Sequence, residues 1–401
     1  MVFENTRTIV CLLTIVTLTG SCSAIDGSVS QRVNTINKTI EDARNESVLL
    51  NIVRASYSHP LNFVTVSKVG GAGTIDLHSQ LPTVTFGSSS SGIPYLIQNS
   101  IDASASGNFD VNILDSKEFF KGLLTPVNVM EIDLLIRQGF PRELLFYTLV
   151  EAIRVTHGKT TYEYRNDPFD DHWTGAGGDD YCRELAEQPR RYQSNLDPPY
   201  IAAVWTGRHK RDCNFQKFKY FVQLALRYGL TSDVSSQGGT AKKPETFARF
   251  CFDPAIANQR ATQNRLFPSA ICGVPVRAGG RKLEFMFPGN VKLGFEVKTR
   301  SAFGLYRYLG YLLRSGAMET VTIKGSDGAV QGFYGEQRLL TIERNTDLNC
   351  FAAVTYAGTR FCVPLNNSDY TKLIFSLLTQ LSALNTTPSD LPVTPTVRIT
   401  P

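Results

Sequence analysis

The spacing of apolar and polar residues predicts an α+β chain. It has an N-terminal helix and a β-hairpin region, then a helical middle, then a C-terminal mixed α/β part with disulfides. Val33, Ile36, Ile40, Val48, Leu49, Ile52 and Val53 recur at helical spacing, with Asn45-Glu46-Ser47 as an expected interruption. His59-Pro60 closes this segment, because proline drives the residue before it out of helical backbone. From 61 to 114 the pattern becomes strand-like. Ile101, Ala103, Ala105, Phe109, Val111 and Ile113 alternate with Asp102, Ser104, Ser106, Asn108, Asp110 and Asn112, giving one apolar and one polar face. Gly87-Ser88-Ser89-Ser90-Ser91-Gly92 is flexible by composition and suits the tip of a hairpin over 82–114.

Three short helices are predicted over 115–155. Asp115 or Ser116 caps the first, Thr125-Pro126 breaks it, Gly139 ends the second, and Pro141 opens a third from Arg142 to Val155. Residues 157–212 are rich in Asp, Gly, Pro and Arg and read as a polar insert. A helix from Asn214 to Tyr228 follows, stopped by Gly229, and then a Ser/Gly/Lys-rich loop over 231–245. Strands are expected at Leu283–Phe287, Val291–Val297 and near 320–324, 338–343, 350–356 and 359–364. Helices are expected at Ser301–Arg314 and Ser368–Leu384, with a proline-bearing extended tail after Asp390.

The N-terminus changes the picture. Arg7 precedes the short apolar run Ile9–Leu18, and Leu18-Thr19-Gly20-Ser21-Cys22 places small residues before a cysteine. The run is too short for a spanning helix, which needs about 20 residues. The pattern is that of a lipoprotein signal over 1–21, with Cys22 as the lipidated residue. The competing reading is an ordinary secretory signal cut near Ala24. Thr19 stands where such signals usually carry an aliphatic residue. Ser23 rather than Asp after the cysteine favours the outer membrane. The remaining divisions are a tether over 22–30, a helix/hairpin/helical segment over 31–156, the insert and its helix over 157–245, and a C-terminal α+β part over 246–401.

Of the eight cysteines, Cys182, Cys213, Cys251, Cys272, Cys350 and Cys362 lie beyond the signal. An even number in an exported chain points to disulfides, and the sequential pairs are the simplest set. Free buried thiols are the alternative. No C-x-x-C spacing is present, so zinc-ribbon and thioredoxin-type chemistry is not indicated. A hairpin closed by directly opposed Cys350 and Cys362 would centre on Tyr356, but the best turn pair is Ala357-Gly358. Either a bulge absorbs the offset or the pairing differs.

The 401 residues carry 42% hydrophobic residues and a net charge of +5. That is enough apolar material for a core, and too little charge to indicate a nucleic-acid partner. Arg190, Arg191, Arg208, Lys210 and Arg211, with Lys217 and Lys219 nearby, form a basic set interleaved with Tyr192, Tyr200 and Trp205. It would suit an anionic surface, although charge runs are commonly only solvated faces. Asp167, Asp170, Asp171, His172, Asp179 and Asp180 flank a Gly-rich turn, where hard oxygen ligands would suit calcium. The spacing is not that of an EF-hand, and turn formation explains the same residues. No HExxH, GxSxG or dinucleotide fingerprint occurs, so no metal, cofactor or catalytic residue is assigned.

Two segments resemble an uncharacterised family of exported proteobacterial proteins. They are Leu49-Leu50-Asn51-Ile52-Val53-Arg54-Ala55-Ser56 leading to Pro60-Leu61-Asn62-Phe63, and the run from Phe361-Cys362-Val363-Pro364 through Phe375-Ser376-Leu377-Leu378 to Leu391-Pro392-Val393. The resemblance implies a lipoprotein address and brings no activity. The expectation is a lipid-anchored, non-enzymatic scaffold or accessory of an outer-membrane assembly, with envelope protein partners and no cofactor. One alternative is a subunit of an oligomeric pore contributing the 82–114 hairpin. The other is a periplasmic hydrolase or binding protein joining His172 or His209 with Asp170.

Overall fold

A computed structural model describes residues 34–71, 107–114, 116–170, 213–237, 245–264, 266–274, 283–287, 291–319, 321–323 and 337–384. Cys22, the tether, most of 82–114, Cys182, the basic set from Arg190 to Arg211, His172, His209 and the tail lie outside them. Helix α1 spans 34–56 without the interruption expected at Asn45-Glu46-Ser47. Leu49, Ile52 and Val53 are completely buried, and that burial outweighs the weak helix propensity of Asn and Ser one turn earlier. Strands β1 (Val64–Gly71) and β2 (Gly107–Ile113) pair antiparallel. The partner of 107–113 is therefore 64–71, which lies upstream of the hairpin expected within 82–114.

Three helices follow, each with a local reason to begin. Helix α2 (Lys117–Leu124) starts at Ser116, whose side chain accepts from the Phe119 N–H. Helix α3 (Val129–Arg137) starts with a full capping box between Asn128 and Glu131, at 2.9 Å in both directions. Such caps are worth about 1 kcal/mol each. Helix α4 (Arg142–Leu149) begins after Pro141 but stops well short of Val155. From Val150 the chain is strand β3 (Val150–His157). Val150, Ile153 and Val155 are buried and Arg154 is exposed there, so the β-branched residues serve a pleated surface rather than a helix face.

Two expected loops are strands. The start of the polar insert forms β4 (Thr160–Arg165), joined to β3 through a two-residue turn at Gly158-Lys159. The stretch expected as a Ser/Gly/Lys loop forms β5 (Leu230–Gln237), paired along its length with β6 (Glu245–Phe252). The helix between them, α5 (Asn214–Arg227), ends where Gly229 takes φ +82°. Helix α6 (Pro254–Asn264), β7 (Phe267–Pro268), β8 (Leu283–Phe287) and β9 (Val291–Thr299) complete a five-stranded antiparallel sheet of order β4-β3-β9-β8-β7. This sheet crosses the boundary expected between 156 and 157. Phe221 of α5 meets Phe285 and Phe295 on the sheet, with Tyr228 and Phe252 packed against the same rings.

Helix α7 (Ala302–Ser315) is capped by Ser301, which accepts from Gly304 N–H at 2.9 Å. After the short strands β10 (Thr322–Ile323) and β11 (Gln337–Arg338), a three-stranded sheet places β14 (Thr359–Pro364) between β12 (Glu343–Arg344) and β13 (Cys350–Tyr356). The β13–β14 turn is Ala357-Gly358, both with positive φ, as a two-residue hairpin requires. A register shift between Cys350 and Ala352 absorbs the offset, and Cys350 and Cys362 are bonded across it. Helix α8 (Asp369–Leu384) closes the described chain and packs on α7. The buried apolar residues from Val48 to Leu381 form one cluster.

Candidate functional site

The end of α1 is built as a Schellman motif. His59 N–H donates to the Arg54 carbonyl (2.9 Å) and Ser58 N–H to the Ala55 carbonyl (3.0 Å), with Ser58 in the left-handed region at φ +60°. Glycine usually fills that position; serine holds it here at some backbone cost. The motif turns the chain sharply and leaves Tyr57 and His59 exposed on either side of the bend. Buried Asn51 fixes the return. Its amide donates to the Asn62 carbonyl (2.7 Å), and its oxygen accepts from Asn62 N–H (3.0 Å).

Tyr356, at the end of β13, completes the site. The rings of Tyr57, His59 and Tyr356 form a triangle with centroids 5.9, 5.5 and 5.8 Å apart. His59 Nδ1 and the Tyr356 hydroxyl are hydrogen-bonded. Arg54 lies beside Tyr356. Burial lowers its guanidinium pKa, while the Tyr356 hydroxyl, by charge and hydrogen bond, works against that. Arg314, in the last turn of α7, donates to Ser58 Oγ at 3.4 Å. Arg344 donates to the Leu313 carbonyl at 2.8 Å, capping the same helix end. Among the described residues none of these three arginines joins an ion pair. The result is a half-exposed aromatic surface edged by guanidinium groups.

The described residues among those singled out from sequence fall elsewhere. Asp167 makes a turn: its carboxylate accepts from Phe169 N–H and its carbonyl from Asp170 N–H, both at 3.0 Å. Lys217 is buried over the Tyr164 ring at 5.6 Å, so it is not part of a basic surface. Cys251 and Cys272 are bonded to each other, and Cys213 is also in a disulfide, whose partner lies outside the described residues. Asp233 Oδ, Cys251 Sγ and Cys272 Sγ lie within 4.8 Å of one another, which is metal-like spacing. The sulfurs are joined, however, and the carboxylate is taken by Arg249 (2.8 and 3.1 Å) and Gly273 N–H (2.8 Å). Burial pushes the Asp233 carboxyl up, but those bonds outweigh it and hold it below its usual range. This is a tie that pins the 271–274 loop to β5 and β6.

Sequence reasoning missed Tyr57, His59, Tyr356 and Arg54 as a group. His59 and Tyr356 are 297 residues apart, and neither lies in a motif. Comparison with known proteins returns no matching family model, no similar curated protein and no similar solved structure.

Proposed function

We propose that the chain is an exported envelope protein, tethered through Cys22 to the outer membrane. Its folded part acts as a non-enzymatic accessory that holds a partner at the ring-and-guanidinium surface. The observation that carries this reading is the cysteine chemistry. Cys251–Cys272 and Cys350–Cys362 are closed and Cys213 is bonded, as suits an oxidising compartment. The charged and polar groups buried in the interior support a scaffold, since they hold backbone in place: Asp233 with Arg249, Asp133 with Ser232, and Arg300 with three carbonyls. The test is fractionation of cells making the wild type or Cys22→Ser. The wild type is expected in the membrane fraction and labelled by a fatty acid, with Cys22→Ser released and unlabelled. A wild type that is soluble, or a variant that stays with the membrane, overturns the tether.

The register of β1 and β2 favours a second reading, a ribbon that assembles with copies of itself into a pore. Val64 faces Ile113, Val66 faces Val111 and Val69 faces Phe109, while Thr65 faces Asn112 and Lys68 faces Asp110. The register shift between Val66 and Lys68 keeps apolar opposite apolar on both sides of it. A two-stranded ribbon alone is marginal in water, and repetition in a closed barrel would complete it. Leu114 N–H already bonds the Phe63 carbonyl at 3.1 Å, so a short linker in place of 64–113 joins chain ends that are already side by side. On this reading the native particle in mild detergent is a large homo-oligomer, and the excised chain is a folded monomer. A monomeric wild type rules the pore out.

A further inference from the structure

We infer that Tyr57, His59 and Tyr356, with Arg54 and Arg314, form a binding site for a phosphate monoester. Helix-end arginines alone would be explained by the negative end of the helix dipole. Part of each end is already answered by other groups: the Schellman bonds take the Arg54 and Ala55 carbonyls of α1, and Arg344 takes the Leu313 carbonyl of α7. Among the described residues neither Arg54 nor Arg314 joins an ion pair that would neutralise it. Their hydrogen bonds go to neutral groups: Arg54, with the Asn62 amide in the orientation its neighbours satisfy, to the Asn62 oxygen at 3.1 Å, and Arg314 to the Ser58 hydroxyl, while the Tyr356 hydroxyl lies beside Arg54.

The donor set selects the anion. A carboxylate is satisfied by the fork of one guanidinium. Two guanidiniums from separate helices stand beside the Ser58 hydroxyl and the His59–Tyr356 pair, which shares one proton between its members, and so offer donors from more than one side. That matches a dianion with three peripheral oxygens. The rings give an apolar wall for whatever carries the phosphate. A phosphorylated lipid headgroup and a soluble phosphate ester share this chemistry.

The inference gives the accessory reading its ligand, but it is measured on purified full chain, so its outcome is independent of where the chain is tethered. Inorganic phosphate and a hexose phosphate are titrated calorimetrically. Phosphatidylcholine vesicles with and without phosphatidic acid are tested by co-sedimentation. Arg314→Gln and Tyr57→Ser change exposed side chains, and unchanged melting temperatures show that both variants fold. Binding of the soluble esters that weakens about tenfold in each variant supports the site and a soluble ligand. Binding only to the acidic vesicles, with the same loss in the variants, supports it and names the headgroup. Absence of binding to either probe, binding unchanged in both variants, or equal competition by a glutamate-rich peptide overturns it.

Discussion

Arg300→Ala is expected to lower the unfolding free energy by about 4 kcal/mol, read as a fall in the urea midpoint at unchanged slope. Arg300 sits between β9 and α7, nearly completely buried, with its guanidinium 3.8 Å from the Tyr308 ring. It donates to the carbonyls of Thr148 (3.0 Å), Val150 (3.0 Å) and Asn166 (2.7 Å). Thr148 and Val150 stand at the C-terminal end of α4, where a cation is favoured by the helix dipole. Burial lowers the guanidinium pKa, and Tyr308, Glu151 and Asp167 work against that. Asn166 completes the knot. Its amide donates to the Tyr147 and Val150 carbonyls, and its oxygen accepts from the Tyr308 hydroxyl. Removing Arg300 leaves Val150 its second donor but strands the other two carbonyls, at about 1–3 kcal/mol each, and vacates the space over Tyr308. Arg300→Lys keeps the charge, but a single ammonium cannot span three carbonyls, so it recovers only part of the loss. A loss under about 1 kcal/mol for the alanine variant would mean the arginine is solvated rather than structural.

This knot shows where sequence legibility ends. The helices α5, α7 and α8 are visible because their signals are local: apolar spacing, a serine cap, a glycine stop. The two described disulfides follow the sequential pairs, and the bulge at Cys350 reconciles the pairing with the Ala357-Gly358 turn. Strand β4, Thr160-Thr161-Tyr162-Glu163-Tyr164-Arg165, carries strand-favouring Thr and Tyr and is missed only because the Asp/Gly/Pro/Arg-rich stretch after it dominates the reading of 157–212. Strand β5 is invisible because its residues are loop-like in composition. Thr231, Ser232, Asp233, Ser235 and Ser236 become a strand only because β6 supplies the ladder partner and α3 covers it, with Ser232 bonded to Asp133 at 3.0 Å. The extension of α4 into Val150–Val155 fails for the same reason: β3 is claimed by β4 on one side and β9 on the other. The candidate site is illegible in kind. Its rings come from two ends of the described chain, and no spacing rule connects His59 with Tyr356.

Gly310→Ala carries the second large effect, and its sign decides the matter. In an exposed helix this change stabilises by roughly 0.5–1 kcal/mol, because alanine loses less backbone entropy on folding. At Gly310, in the middle of α7, an added Cβ would stand 2.5 Å from Ala55 Cβ, 2.6 Å from Ser56 N and 2.7 Å from Ala55 C. Two of those atoms are α1 backbone, which no rotamer change can move aside, so the helices must part. The expected result is a loss of about 2–3 kcal/mol in the same urea titration. Adding Ala55→Gly removes only the Cβ–Cβ clash, so the double variant recovers part of the loss and not all of it. The parting also has a local consequence. Ala55 and Ser56 immediately precede Tyr57, and Arg314 lies one turn beyond Gly310, so the crossing sets the distance between the ring triangle and the α7 guanidinium. Gly310→Ala should therefore weaken phosphate-ester binding in the molecules that remain folded, whereas a surface change of equal stability cost should not. A gain in stability would show that α1 and α7 do not approach this closely, and the placement of Tyr57 and His59 beside Arg314 would fall with it.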